Sequence, residues 1–218
     1  MIPKKVGTGF SDKITRKEQV MNPRTVRLLL VMSAFVVGLI LCFAVVLLVT
    51  GRGPVPIAAP AAIGGPFRLT DQNGQTITDG DLKGRPFLVF FGFTHCPEVC
   101  PTALFDISEI LSKLGPDAEK VNALFITVDP ERDTPAALKD YLSSFNPRVM
   151  GVGGDAEALA AVAKAYRVYY KKVPLKDGDY TMDHTAIVYL MDKTGAFVAP
   201  FSLKRRPEDA AADLRRHF

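Results

Sequence analysis

Cysteine is scarce in this 218-residue chain, and so is histidine, with three of each. Only Cys96 and Cys100 fall in the part that reads as a folded domain. A disulfide between them would close so short a loop that little loop entropy is gained. A purely structural staple is therefore the weakest reading of the pair. A basic surface is also lacking. Lys and Arg number 27 against 23 Asp and Glu, but seven of the basic and two of the acidic residues lie in the first fifty positions, leaving 20 against 21. A nucleic-acid-binding domain should carry a basic stripe; none is present, so no nucleic-acid partner is expected. There is no internal repeat, and the one low-complexity tract is a Pro/Ala/Gly-rich linker.

Charge of either sign is missing from "LLLVMSAFVVGLILCFAVVLLVT", the 23 residues Leu28–Thr50. As a helix they span roughly 34 Å at about 1.5 Å per residue, enough for a hydrocarbon core of roughly 30 Å. A cleaved signal peptide has a shorter apolar region ending at a small-residue cleavage site, and "LLVTGRGPVP" offers none. An uncleaved anchor is expected, with Cys42 as an apolar filler inside it. Lys and Arg before a span mark the cytoplasmic side, which places everything after Gly51 outside the cytoplasm, where disulfides can form and persist. "GRGPVPIAAPAAIGGP" (Gly51–Pro66) reads as a spacer. The chain thus divides into a basic tail (1–27), a transmembrane helix (28–50), a flexible linker (51–63) and a folded domain (64–218). The tail contains Asp12 and Glu18 and is short for a transit peptide ahead of an anchor. A bacterial inner membrane with a periplasmic domain is expected over a mitochondrial one.

Within the domain, "FRLTDQNGQTIT" alternates around Asn73-Gly74, a hairpin signal. "PFLVFFGF" is a buried strand, followed by the Cys segment and a helix over "PTALFDISEILSKLG" that stops at Gly115-Pro116. "VNALFITVD" is a second buried strand. "PERDTPAALKDYLSSF" is a helix capped by Thr134 with Pro135 at its first position. Asp155 opens a further helix after the short strand "VMGVGG". "YYKKVPLKDGDYTMDH" reads as a surface loop or loose hairpin, "TAIVYLMD" and "AFVAPFSL" as a second hairpin, and "RPEDAAADLRRHF" as a closing helix. The order predicts an α/β domain with a mixed sheet and helices on both faces. The cysteines lie at the carboxyl end of an inner strand, where ligand chemistry tends to sit in open α/β sheets. Such a sheet with a Cys pair between strand and helix resembles the thioredoxin fold with an N-terminal hairpin and an insertion.

Cys96 and Cys100, four apart, can share one face at a helix mouth, where the dipole favours thiolate. Pro101 pushes residue 100 from helical angles, which makes Cys100 a candidate cap. Redox motifs usually have two residues between the cysteines; here there are three. Two thiolates make only part of a metal site. His95 adjoins Cys96, and adjacent residues rarely point at one centre. His217 is penultimate, where fraying is expected. His184 precedes an apolar strand in what reads as the same sheet and can face the Cys loop, with Asp183 as a possible orienting group. Two thiolates and an imidazole suit Cu(I), and can also hold Cu(II). Structural zinc normally takes four ligands, and no fourth is found. "DPERDTP" reads as turn and helix cap, and Lys171-Lys172 and "LKRR" (203–206) as solvated faces.

"FGFTHCPEVCPTAL", "TVDPERDTPAALKDY" and "DHTAIVYLMDKTG", in that order after one membrane anchor, resemble the Sco/SenC family of membrane-tethered, thioredoxin-fold copper proteins of cytochrome c oxidase assembly. The resemblance covers about residues 64–218. It implies that Cys96, Cys100 and His184 bind copper as a chaperone rather than an enzyme. It further implies delivery to the dinuclear copper centre of oxidase subunit II, or maintenance of that centre's cysteines in reduced form. Another periplasmic copper chaperone and a thioredoxin-like reductant are implied partners. Many members have Asp where this chain has Glu98; the charge is kept and the implied ligands are untouched. Thioredoxin-type oxidoreductases usually place a cis proline opposite the Cys pair, which keeps metals out. Here Pro174 and Pro200 bracket a proline-free stretch in which His184 stands.

Overall fold

The computed structural model describes residues 22–50, 62–176 and 178–218. The tail up to residue 21, the linker from 51 to 61, and Asp177 lie outside the described residues. Two units are distinct, an N-terminal helix and an α/β domain.

Helix α1 runs over Pro23–Thr50, 28 residues or about 42 Å at about 1.5 Å per residue. It is long and apolar enough to cross a membrane. It begins five residues before the apolar run because Asn22 caps it: its side-chain oxygen accepts the Arg24 N–H at 3.1 Å, and Pro23 takes the first helical position, where no N–H is needed.

The domain opens with the hairpin β1 (Arg68–Asp71) and β2 (Thr76–Thr78). Gly74 sits at φ 80° in its turn, a conformation that glycine adopts without strain. A short helix α2 (Asp79–Leu82) leads to β3 (Phe87–Gly92), then α3 (Val99–Leu114) and a 3₁₀ turn over Gly115–Lys120. Next come β4 (Asn122–Thr127), α4 (Pro135–Leu142), β5 (Val149–Gly153) and α5 (Ala156–Tyr166). The hairpin β6 (Tyr170–Pro174) and β7 (Tyr180–His184) follows, then β8 (Val188–Met191), β9 (Phe197–Pro200) and α6 (Pro207–Arg215). The cap expectations hold: the Thr134 hydroxyl accepts from Ala137 N and the Asp155 carboxylate from Ala158 N.

Seven strands form one mixed sheet in the order β2-β1-β5-β4-β3-β8-β9. Strands β3, β4 and β5 are parallel, and β1 and β8 run antiparallel to their neighbours β5 and β3. All six residues of β3 are buried, which requires cover on both faces of the sheet. Phe87, Phe90, Phe91 and Phe125 form the centre of the core, each contributing roughly 1.5–3 kcal/mol by burial.

The stretch read as a surface loop or loose hairpin is the hairpin β6–β7, which pairs with itself beside the main sheet. The strand that follows His184, β8, lies in the main sheet against β3 as expected, with Val188 opposite Phe90. Two expectations are corrected. Cys100 is not a cap: α3 begins at Val99 after Glu98, so Cys100 and Pro101 lie in its first turn, where the proline's missing N–H costs nothing. His217 is folded down rather than frayed: its N–H donates to the Leu214 carbonyl at 3.0 Å, and Phe218 packs against the core.

Candidate metal centre

The β3–α3 junction carries the two thiols. After Gly92 and the buried Phe93, the chain turns so that Cys96 N–H donates to the Phe93 carbonyl at 3.3 Å. Cys100, one turn further on, donates its N–H to Cys96 Sγ at 3.3 Å. Its own sulfur is fully buried against β3. A Cβ on Gly92 would lie 2.8 Å from Cys100 Sγ and 2.5 Å from the Phe125 ring, so only glycine fits here.

His184, the last residue of β7, brings the third group. Its Nε2 lies 3.7 Å from Cys100 Sγ, and its Nδ1 lies 3.2 Å from the Thr185 carbonyl. Donation from Nδ1 to that carbonyl leaves the Nε2 lone pair facing the sulfurs. Phe90 and Phe93 meet the imidazole edge-on, at centroid distances of 6.5 Å and 5.8 Å. Asp183 is exposed and stands opposite Lys171 in the hairpin; the atom that meets the imidazole N–H is the Thr185 carbonyl. His95 turns away from the sulfurs, with Nδ1 at 3.0 Å from Thr94 Oγ1 and 4.0 Å from Asp133 Oδ1.

The ligand atoms of Cys96, Cys100 and His184 all lie within 4.8 Å of one another. Cys100 is buried, while Cys96 and His184 are half-buried at the rim, so an ion would enter from their side. Burial sets the protonation. It pushes the Cys100 thiol well above its usual range, with the neighbouring Cys96 sulfur adding to the shift. The helix N-terminus was expected to favour thiolate at this position; here desolvation outweighs it. Burial also holds His184 below the usual histidine value, so the imidazole is neutral, the form that ligates metals. A soft ion at this site would displace the Cys100 thiol proton that burial holds in place.

Residue patterns alone did not point to Gly92, the aromatic walls, or the burial of Asp129 and Asp133. A glycine inside "FFGF" was the available signal, since an interior strand glycine marks a close approach. The two aspartates gave none, because "DPERDTP" scans equally well as turn and cap.

A thioredoxin-like domain with two thiols and an imidazole gathered at the carboxyl end of its central strand belongs to the class of thioredoxin-fold proteins with a ligand cluster at the redox position. The chain is a member of the SCO1/SenC family, whose model matches residues 56–218. A solved structure of Bradyrhizobium japonicum ScoI with copper bound is 67% identical, with a TM-score of 0.71 over 72% of this chain and 100% of that one. The mitochondrial SCO2 homolog of Bos taurus is 42% identical over 162 residues, 72% of this chain and 61% of the bovine protein. A SCO2-like protein of Rickettsia conorii is 40% identical over 155 residues, 70% of this chain and 76% of its own length. The match thus spans about three fifths of the bovine relative's length.

Proposed function

We propose that this chain is a copper-binding assembly factor that holds one copper ion on Cys96, Cys100 and His184 and passes it to the dinuclear copper centre in subunit II of cytochrome c oxidase. The observation that carries the reading is the convergence of two sulfurs and a neutral imidazole nitrogen within 4.8 Å. That donor set matches Cu(I) and tolerates Cu(II). A solved relative at 67% identity has copper bound, which supports copper as the ion. Buried Cys100 anchors the ion, and the rim ligands Cys96 and His184 release it to an incoming set of thiolates. The domain (64–218) acts as a carrier rather than an enzyme. Helix 28–50 spans the inner membrane, the tail 1–27 is cytoplasmic, and the linker 51–63 leaves the domain in the periplasm. A second periplasmic copper chaperone is the donor this role requires.

A second reading rests on the proximity of the two sulfurs. The domain reduces a disulfide in subunit II or in another copper chaperone: two electrons and two protons leave Cys96 and Cys100, which join as a disulfide while the partner's disulfide becomes two thiols. A thioredoxin-like reductant then restores the pair.

Copper titration of the detergent-solubilised full chain, with Cys96→Ser, Cys100→Ser and His184→Ala, tests both readings. One ion per chain, lost in all three variants, is the result expected of the carrier. Wild-type stoichiometry in His184→Ala would sink the three-ligand assignment. Disulfide reduction that survives His184→Ala but not either Cys substitution favours the second reading.

A further inference from the structure

The two halves of the cluster come from segments that share no backbone ladder: the Cys loop follows β3, and His184 ends the detached hairpin β6–β7. One loop touches both. Leaving β4, the segment Val128–Thr134 buries two carboxylates, Asp129 at 2% exposure and Asp133 at 4%.

Asp133 reaches the Cys side. Its Oδ2 accepts from Thr94 N at 3.0 Å and from Thr127 Oγ1 at 2.5 Å, and its Oδ1 accepts from Thr94 Oγ1 at 2.6 Å. Thr94 is two residues before Cys96, so this carboxylate fixes the path of the Cys loop. Asp129 reaches the hairpin side. Its Oδ1 accepts from Tyr180 OH at 2.9 Å and its Oδ2 from Arg132 Nε at 2.6 Å. The Tyr180 ring, at the start of β7, packs with the Arg132 guanidinium 3.7 Å and the Lys172 ammonium 3.8 Å from its centroid. Lys172 in turn pairs with Glu131 at 2.6 Å, and Arg132 Nη1 donates to the Tyr180 carbonyl at 3.1 Å. Thr127 joins the two arms, since its hydroxyl oxygen accepts from Asp129 N at 2.9 Å while donating to Asp133. Buried, fully paired carboxylates of this kind fix geometry.

We propose that the Val128–Thr134 loop is a bracket that sets the separation between the Cys loop and the His184 hairpin. Asp133, Asp129 and Tyr180 are then positioning residues for the copper ligands, acting through Thr94 on Cys96 and through the hairpin on His184. The bracket rests on the copper reading for its consequence, though not for its geometry.

The test uses the full chain in detergent with Tyr180→Phe and Asp133→Asn, and with Asp155→Ala as a comparison that removes a cap on α5 outside the bracket. Two readouts are taken: the His184 imidazole resonances in the metal-free protein, which lie in the ring-current field of Phe90 and Phe93, and Cu(I) affinity by chelator competition. Groups that orient metal ligands typically contribute 10–100-fold in affinity. The expected result is displaced His184 resonances in Tyr180→Phe and at least about tenfold weaker copper binding in both bracket variants, with neither change in Asp155→Ala. Tyr180→Phe keeps the ring between its two cations, so it decides the matter if Asp133→Asn does not fold. Unmoved resonances with unchanged affinity in Tyr180→Phe would overturn the bracket. Moved resonances in Tyr180→Phe, together with a wild-type protein that binds no copper, would uphold the bracket and remove the copper reading instead.

Discussion

Cys100 Sγ and His184 Nε2 lie 3.7 Å apart although 84 positions separate them in the chain. An ion that both groups hold would tie helix α3 to the hairpin β6–β7, which no backbone ladder joins to the main sheet. Binding to the folded state alone would stabilise it by about 2.7 kcal/mol at a hundredfold excess over Kd. For a domain of this size that raises Tm by on the order of 5–10 °C. Thermal melts with copper and with a Cu(I) chelator should differ by that much in the wild type, and much less in His184→Ala.

The two thiols should differ in reactivity. Cys100 is wholly buried and its pKa is raised by desolvation, so its thiolate fraction at neutral pH is very small, and thiolate is the reactive form. Cys96 is half-buried at the rim. Mass-spectrometric mapping after brief alkylation of the metal-free protein should find Cys96 modified first, with Cys100 gaining rate as pH rises. Equal rates at neutral pH would contradict the burial described here.

Gly92→Ala should damage the site without replacing a proposed ligand. The new Cβ would press on Cys100 Sγ at 2.8 Å and on the Phe125 ring at 2.5 Å. Overpacking of this kind costs about 1–3 kcal/mol. Chemical denaturation should show that loss, and copper affinity should fall with it because the sulfur must shift.

Helix caps away from the ligands should affect stability alone. Removing the Asp155 carboxylate that accepts from Ala158 N should lower stability by about 1 kcal/mol. Denaturant midpoints should move accordingly while copper stoichiometry stays at that of the wild type.

Much of this molecule was legible from residue patterns. The apolar run Leu28–Thr50, the hairpin at Asn73-Gly74, the buried run Phe87–Gly92 and the caps at Thr134 and Asp155 all rest on local chemistry, and the structure agrees with each. Lys172 is the solvated cation expected, but its pairing with Glu131 and its place against the Tyr180 ring were not legible. Asp129 and Asp133 were equally opaque, because whether an aspartate caps a turn or is buried under a distant loop depends on what folds over it.

The sequence by itself determined the family and the α/β order, and it put Cys96, Cys100 and His184 forward as the groups to watch, because residue type, spacing and hydrophobic period are local properties. Tertiary structure alone decided how those groups meet. It buried Cys100 deeply enough for desolvation to override the helix terminus, gave the imidazole the Thr185 carbonyl as its partner, and detached the hairpin from the main sheet. Those outcomes depend on contacts between segments far apart in the chain, where packing and the burial of charge outweigh any local preference.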